Sequence, residues 1–140
     1  MSVLLDTNVL SELTRRSPEP RVRQWLNSLN EEETFISVIS VAELQRGIAL
    51  LPHGRRRDGF EKWLRFELLE RYRERIIGVS VKVASAWGML AAKASAGGRT
   101  MPIMDGFIAA TAHVQSLTVA TRNVRDFAGL GVKFLNPWEP

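Results

Sequence analysis

The stretch VLLDTNVL at positions 3–10 decides the fold, because it joins two kinds of secondary structure through one acidic residue. The apolar run VLL at 3–5 is typical of a short buried strand. The segment 7–16 then predicts a helix, which the sequence SPEP at 17–20 brings to an end. The chain therefore opens with a buried strand that leads through Asp6 directly into a helix.

The same order of strand and helix repeats along the rest of the chain. Later strands are predicted from short runs rich in β-branched, aromatic or apolar residues, at 34–38, 76–79, 117–121 and 132–135. Helices are predicted from apolar periodicity and composition, at 20–29, 40–51, 55–75, 80–96 and from Asp105 onward. Strict alternation favours right-handed crossovers, so the predicted fold class is α/β, a three-layer α/β/α domain with a parallel sheet of about five strands.

The size and composition of the chain indicate one domain without a membrane segment. With 140 residues, of which 45% are hydrophobic, the chain can bury one core, and we predict a single domain over 1–140. No apolar run approaches the roughly 18 residues that a membrane span requires, so we expect no membrane association and a cytoplasmic location. The net charge of +4 comes largely from arginine and suits contacts with phosphate.

The absence of cysteine narrows the possible chemistry. It excludes disulfides, thiolate catalysis and most zinc sites. The motifs of phosphate-binding loops, nucleophile elbows and zinc proteases are also absent from the sequence. A metal site in this chain would therefore use oxygen ligands, which favour Mg²⁺ or Mn²⁺.

Four acidic residues fall at equivalent places in the predicted sheet. Asp6 ends the first strand, Glu43 begins the helix after the second, Asp105 begins the helix before the fourth, and Asp126 follows the fourth. In an open parallel sheet the carboxyl ends of the strands lie along one edge, where ligands bind at the switch in strand order. The four carboxylates are therefore expected to converge.

Each acid also has a purely structural explanation. Asp6 and Asp105 fit helix N-caps, the segment 40–43 (SVAE) fits a capping box, and Asp126 fits a turn. Taken together, however, carboxylates gathered at one edge repel each other and normally need a cation. Mg²⁺ fits because it takes a few carboxylates and keeps several waters, and it can promote attack of water on a phosphodiester.

Four segments of the chain resemble the signature segments of PIN-domain nucleases. They are LLDTNVLSEL at 4–13, SVISVAEL at 37–44, DGFIAATA at 105–112 and TRNVRDF at 121–127. Within that superfamily the chain is most similar to the VapC and FitB toxins of type II toxin–antitoxin systems, including RRSPEP at 15–20 and VRQWL at 22–26.

The resemblance implies a function, a cofactor and partners. It implies an endoribonuclease that depends on Mg²⁺ or Mn²⁺, hydrolyses RNA, and is held in check by a small antitoxin of the VapB or FitA kind. Toxins of this type are usually homodimers, which we also expect here.

The resemblance also implies roles for individual residues. Asp6, Glu43 and Asp105 match the three acids of the metal site, and Asp126 matches the fourth catalytic acid. Four polar residues match positions that orient water or a carboxylate: Thr7, Asn8, Thr121 and Asn123.

Other charged and aromatic residues are assigned from the sequence pattern. Arg122 and Arg125 flank the fourth acid and are predicted to contact an RNA phosphate. Glu12 is predicted to point away from Asp6, as a surface or salt-bridge residue. The four tryptophans are interpreted as core or interface anchors rather than base-stacking residues: Trp25, Trp63, Trp87 and Trp138.

Three alternative functions are consistent with parts of the sequence. A metal-dependent phosphatase of the aspartyl-phosphate kind would need a second aspartate where Asn8 stands. A metal-free ribonuclease would use His53 and His113, but the helix around His113 is predicted to be buried. A non-catalytic RNA- or protein-binding module would use all the acids as caps.

Overall fold

One sheet of five parallel strands forms the centre of the protein, which we describe over residues 1–139 from a computed structural model. The strand order is β3-β2-β1-β4-β5, and every neighbouring pair is parallel. This arrangement confirms the predicted α/β fold. The strands are β1 Val3–Leu5, β2 Thr34–Ser37, β3 Ile76–Ile77, β4 Thr118–Ala120 and β5 Phe134–Leu135.

Helices connect the strands and cover both faces of the sheet. Within residues 1–139 there are eight α-helices: α1 Thr7–Glu12, α2 Pro20–Asn27, α3 Val38–Ala49, α4 Arg55–Lys62, α5 Leu69–Arg71, α6 Val81–Ala96, α7 Ile103–Gln115 and α8 Val124–Phe127. A short 3₁₀ turn covers Glu31–Glu33, and a wider π-helical turn covers Trp63–Leu68. In the same residues, none of the helices has the length and apolar character that a membrane crossing requires.

Alternating side chains of β1 build two separate cores, one on each face of the sheet. Val3 and Leu5 belong to the core that α1, α2, α3 and the segment 55–72 cover. Leu4, between them, belongs to the core that α6 and α7 cover. All three side chains are fully buried, which explains why this strand is entirely apolar.

The sequence predicts the longer helices correctly but misplaces several of their ends, and it does not predict the short helix α8. The first helix stops at Glu12 rather than Arg16. The predicted helix 55–75 is α4, the π-helical turn and α5 in succession, and it ends at Arg71. At that end the Arg75 guanidinium donates to the Arg71 carbonyl at 2.8 Å and so satisfies a free C-terminal acceptor.

Close packing of α7 against α6 fixes the start of α7 beside the sheet edge. Gly106 is buried, and a Cβ at this position would lie only 2.8 Å from Trp87 Nε1. The lack of a side chain at Gly106 therefore lets α7 approach α6. The preceding residue, Asp105, lies in the first turn of α7 beside this contact.

Candidate active site

Asp6 lies at the point where the strand order of the sheet reverses. It directly follows β1, which has β2 on one side and β4 on the other. Its backbone N–H donates to the Ala120 carbonyl at 2.9 Å, so the residue is held against the end of β4. Only 2% of Asp6 is exposed. Asp6 therefore lies at the switch point of the sheet, which is where the sequence predicts a ligand site.

The Asp6 carboxylate is held by three donors. Its side chain caps α1 by accepting from the Thr7 N–H at 2.7 Å, as predicted. The buried Thr121 hydroxyl donates to Oδ2 at 2.7 Å, and Asn8 Nδ2 lies 3.4 Å from the same oxygen. Asp6 therefore caps α1 and also lies close to the other acids.

Burial is the largest influence on the pKa of Asp6 and raises it. The hydrogen bonds from Thr121 and from the Thr7 N–H act in the opposite direction, while the nearby Glu43 and Asp126 raise the pKa further. The net effect is a pKa above the ordinary value for aspartate. The protein therefore pays a free-energy cost to keep this carboxylate ionised.

Glu43 is joined to the same site by Thr7. The Thr7 hydroxyl lies 2.6 Å from Glu43 Oε1 and 2.9 Å from Ser40 Oγ. Because a hydroxyl has one proton, Thr7 donates to the carboxylate and accepts from Ser40. This contact fixes the first turn of α1 to α3.

The capping box that the sequence allows at 40–43 does not form. The N-cap of α3 is Ser37, whose Oγ accepts from the Ile39 N–H at 3.0 Å. Since Ser37 ends β2 and caps the helix itself, α3 begins at Val38 and Ser40 is buried inside it. Glu43 consequently has no capping role and is available to the site.

Asp105 likewise does not cap a helix, which is the structural alternative that the sequence allows. It is the third residue of α7, whose N-cap position is Pro102. Its pKa is raised to about 7, first by burial, then by the charges of Asp6 and Asp126 and by a hydrogen-bonding contact with Asp126. A smaller contribution comes from Glu43. The four predicted acids therefore share one electrostatic environment.

A cavity of about 460 Å³ opens over these acids. Asp126, which belongs to α8, does not line the cavity but contacts Asp105. The backbone N–H of Asn123 donates to Thr121 Oγ1 at 2.9 Å. Arg125 is exposed on α8 and lies outside the cavity. The lining residues are Asp6, Thr7, Asn8, Ser11, Glu12, Arg15, Glu43, Asp105, Arg122, Asn123 and Trp138.

The donors at the base of the cavity suit a hard cation. They are oxygen atoms of carboxylates, hydroxyls and an amide, which Mg²⁺ and Mn²⁺ prefer. Over residues 1–139, no three acidic or histidine side chains are gathered closely enough to hold an ion by themselves. The arrangement suits Mg²⁺ in particular, because Mg²⁺ uses few carboxylates and completes its coordination with water.

Comparison with known proteins identifies the family. A family model described as PIN domain matches residues 3–132, which include all four acids. The chain belongs to the PIN domain family. The resemblance noted in the sequence is therefore confirmed.

Relatives of this PIN domain match it over nearly the whole length of both chains. Toxin FitB of Neisseria gonorrhoeae is 40% identical over 136 residues, which cover 97% of this chain and 98% of FitB. VapC ribonuclease Y4jK of Sinorhizobium fredii is 37% identical over 138 residues, or 99% of each chain. The crystal structure of FitAcB from Neisseria gonorrhoeae contains a chain with a TM-score of 0.93 and 40% identity, and the match covers 99% of both chains.

Glu12 of this PIN domain does not point away from the site, as the sequence predicted. It is 4% exposed and lines the cavity that contains Asp6. It does form the predicted salt bridge, since Arg15 Nη1 donates to both of its carboxylate oxygens, at 3.1 and 3.2 Å. The chain after α1 folds back over it, so that the Glu19 N–H donates to Oε2 at 3.1 Å.

The charge on Glu12 is kept despite its burial. Burial is the largest single influence and raises the pKa, but the bonds from the Glu19 N–H and Arg15 outweigh it. The pKa of Glu12 is therefore lowered. The ion pair can be predicted from the sequence, because Glu12 and Arg15 are three residues apart in the helix predicted at 7–16. The burial of Glu12 cannot, because it arises from the loop at 13–19.

The two histidines do not contribute to the PIN domain cavity. His113 is exposed near the end of α7, so the predicted burial of this residue is wrong. His53 is also exposed and contacts Arg57. Neither side chain lines the cavity with the acids, and the structure gives a histidine-based ribonuclease no support.

Proposed function

We propose that this PIN domain is a Mg²⁺-dependent endoribonuclease that acts as the toxin of a toxin–antitoxin pair. The observation that carries the proposal is the buried Asp6 carboxylate at the switch point of the sheet. Glu43 and Asp126 lie close enough to raise its pKa, and these two acids and Asp6 all raise the pKa of Asp105. The names of two relatives, a toxin and a ribonuclease, support it. A cluster of acids that serves only as caps does not explain why Glu43 and Asp105 face the same cavity.

The residues proposed to hold the ion are Asp6 and Asp105 directly, with Glu43 as the third acid. Bound there, Mg²⁺ supplies activation of a water nucleophile and stabilisation of charge on the phosphate oxygens. The raised pKa values of Asp6 and Asp105 support this assignment, because burial and then repulsion by the other acids disfavour their charges, and a bound cation offsets both. Asp126 acts through its contact with Asp105.

The polar residues around the acids keep the carboxylates in fixed orientations. Thr121 and the Thr7 N–H bond to Asp6, and the Thr7 hydroxyl bonds to Glu43. Asn8 connects Asp6 to Thr121, with Nδ2 at 3.3 Å from the Thr121 hydroxyl. These contacts restrict the acids before substrate arrives, which reduces the cost of ordering them during the reaction.

Incubation of the purified protein with single-stranded RNA tests the proposed activity. We expect cleavage with Mg²⁺, none with a chelator, and recovery when Mg²⁺ is restored in excess. The reason is that the acids alone repel the phosphodiester and provide no electrophile. Cleavage that continues unchanged in the chelator contradicts the proposed metal dependence.

The proposed antitoxin fits an apolar groove beside the acids. The groove has a volume of about 210 Å³ and shares Thr7, Ser11 and Glu43 with the larger cavity. Its remaining walls are mostly apolar: Leu44, Ile48, Leu51, Phe60 and Trp63. If an amphipathic segment of the antitoxin fills this groove, it also reaches the acids and blocks access of RNA to them.

The substitution Trp63→Ala tests the antitoxin groove. We expect the affinity for the antitoxin encoded by a neighbouring reading frame to fall by at least ~10-fold, because buried tryptophans dominate such interfaces. RNA cleavage by the free protein should persist. Titration calorimetry measures the affinity, and Phe66→Ala serves as control, since Phe66 is 66% exposed and lies outside the groove. Equal affinities for the wild type and Trp63→Ala contradict the groove assignment.

We also propose that the protein forms a homodimer through α6 and the start of α7. Val81 is 87% exposed, Met89 74% and Ile103 63%, on two helices that contact each other. A contiguous patch of exposed apolar residues there would mark an association surface. Light scattering tests this, and a monomer at all concentrations contradicts it.

A further inference from the structure

Part of the cavity wall is neither acidic nor needed to hold an ion. Arg15, Arg122 and Trp138 line the same cavity as Asp6 and Asp105. Its volume of about 460 Å³ falls within the roughly 300–1,000 Å³ of pockets that hold organic ligands. The cavity therefore has room for part of a substrate beside the acids, and the chemistry of this wall indicates which part.

Arg122 rests on an aromatic ring at the mouth of the cavity. Its guanidinium carbon lies 5.2 Å from the centre of the Trp138 ring, within cation–π range. Its backbone N–H donates to Asn8 Oδ1 at 3.2 Å, so its main chain is tied to the residue that contacts Asp6. Across residues 1–139, no carboxylate forms an ion pair with Arg122. The guanidinium thus has one face on the indole, while its charge is not neutralised by an acid.

Trp138 is anchored well enough to support that guanidinium. Its backbone N–H donates to Asn136 Oδ1 at 2.9 Å, and its backbone carbonyl accepts from Arg21 at 3.4 Å. The ring is partly buried against the core that contains Leu5. Since the indole cannot move freely, Arg122 loses less conformational entropy when a ligand binds to its other face.

Arg15 adds a second cation to this wall. Its guanidinium is tied to the buried Glu12 through one nitrogen, and 62% of the side chain is exposed. The nitrogens that do not face Glu12 remain available to an anion. The wall therefore combines a planar cation over an indole with a second, fixed cation.

We propose that Arg122, supported by Trp138, forms a stacking platform for the base of one RNA nucleotide next to the cleaved phosphodiester, with Arg15 contacting a neighbouring phosphate. The proposal rests on the proposed nuclease function and adds the part of the substrate that the acids do not bind. Bases that are not paired in a helix stack on guanidinium planes as they do on aromatic rings. The same stacking tolerates different bases, because every base has a π-face.

Cleavage of short single-stranded oligoribonucleotides by Arg122→Ala and Arg122→Lys tests the platform. The oligonucleotides carry either all bases or one abasic site, which is moved along the strand. For the intact strand we expect KM to rise about 10-fold in both variants, with kcat within about twofold of wild type, because lysine keeps the charge but not the plane. For the wild type, an abasic site at one position should raise KM by a similar factor. For the strand with that abasic site, Arg122→Ala should have the same KM as the wild type.

Two results overturn the platform. If Arg122→Lys restores the wild-type KM, or if no abasic position changes it, Arg122 is only a phosphate contact. The matched control is Arg65→Ala, because Arg65 also lies over an aromatic ring, Phe66, at 6.0 Å, but outside the cavity. We expect this variant to keep the wild-type KM.

Binding measured by fluorescence anisotropy separates the platform from the nuclease function. It uses the same labelled oligonucleotides and needs no cleavage. If the wild type cleaves no RNA, the nuclease proposal fails, while a base-dependent loss of binding in Arg122→Ala still supports the platform. If Arg122→Ala leaves RNA binding unchanged and weakens only antitoxin binding, the platform is overturned.

Discussion

Replacing Asp6 with asparagine will lower kcat/KM for RNA cleavage by at least ~100-fold, the scale of removing one key electrostatic group. Asparagine retains the size of the side chain and is as good an N-cap as aspartate, so α1 should still form. The substitution removes only the negative charge that would attract the ion. Gel-based cleavage of single-stranded RNA in Mg²⁺ measures the loss.

The control for this prediction is Asp58→Asn. Asp58 is exposed in the first turn of α4 and lies outside the cavity, so cleavage should match the wild type. Thermal unfolding gives a second readout. Mg²⁺ should raise the Tm of the wild type and of Asp58→Asn but not that of Asp6→Asn. Cleavage retained by Asp6→Asn would remove this residue from the site.

The convergence of the acids can be predicted from the sequence because it follows from topology. A parallel sheet places the end of each strand on one edge, whatever the details of packing. Asp6 after β1 and Thr121 after β4 are therefore neighbours, although 115 positions separate them. The apolar run at 3–5 is equally predictable, since a strand covered on both faces must be apolar throughout.

The errors arise where the outcome depends on exact local geometry. Ser37 and Ser40 are both good caps, and only the end of β2 decides that Ser37 is the one used. Asp105 fits a cap in the sequence because nothing there indicates that α7 starts at Ile103, two residues earlier. Both errors concern helix ends, where sequence patterns are weakest.

Residues brought to the site by tertiary folding could not be assigned from the sequence. Glu12 lines the cavity because the loop after α1 folds back over it, and Trp138 does so because the chain returns to α1 after β5. No local pattern marks either residue as part of a site. Arg125, by contrast, flanks the fourth acid in the sequence but points outside the cavity in the structure.

The substitution Asp105→Asn will stabilise the protein in the absence of divalent cations, by an amount that grows as pH rises from the ordinary pKa of aspartate to about 7. The pKa of Asp105 is about 7 in the folded protein, against an ordinary value of 3.8. The folded state therefore binds a proton more tightly than the unfolded state. The contribution of Asp105 to stability is fully present below the ordinary pKa and is lost as pH rises through about 7. Above that pH the folded protein carries a carboxylate charge that is both partly buried and repelled by the other acids, and asparagine removes that charge.

Thermal unfolding of the metal-free proteins at about pH 4 and about pH 8 measures this effect through linkage. Allowing for solvent around a partly exposed carboxyl, we expect Asp105→Asn to have a Tm roughly 5 °C above the wild type at the higher pH and close to it at the lower. Asp58→Asn should show no such pH-dependent gap. Excess Mg²⁺ at the higher pH should raise the Tm of the wild type more than that of Asp105→Asn, because the ion stabilises only the ionised site. A gap that is the same at both pH values means that the repulsion among these acids does not control the charge of Asp105.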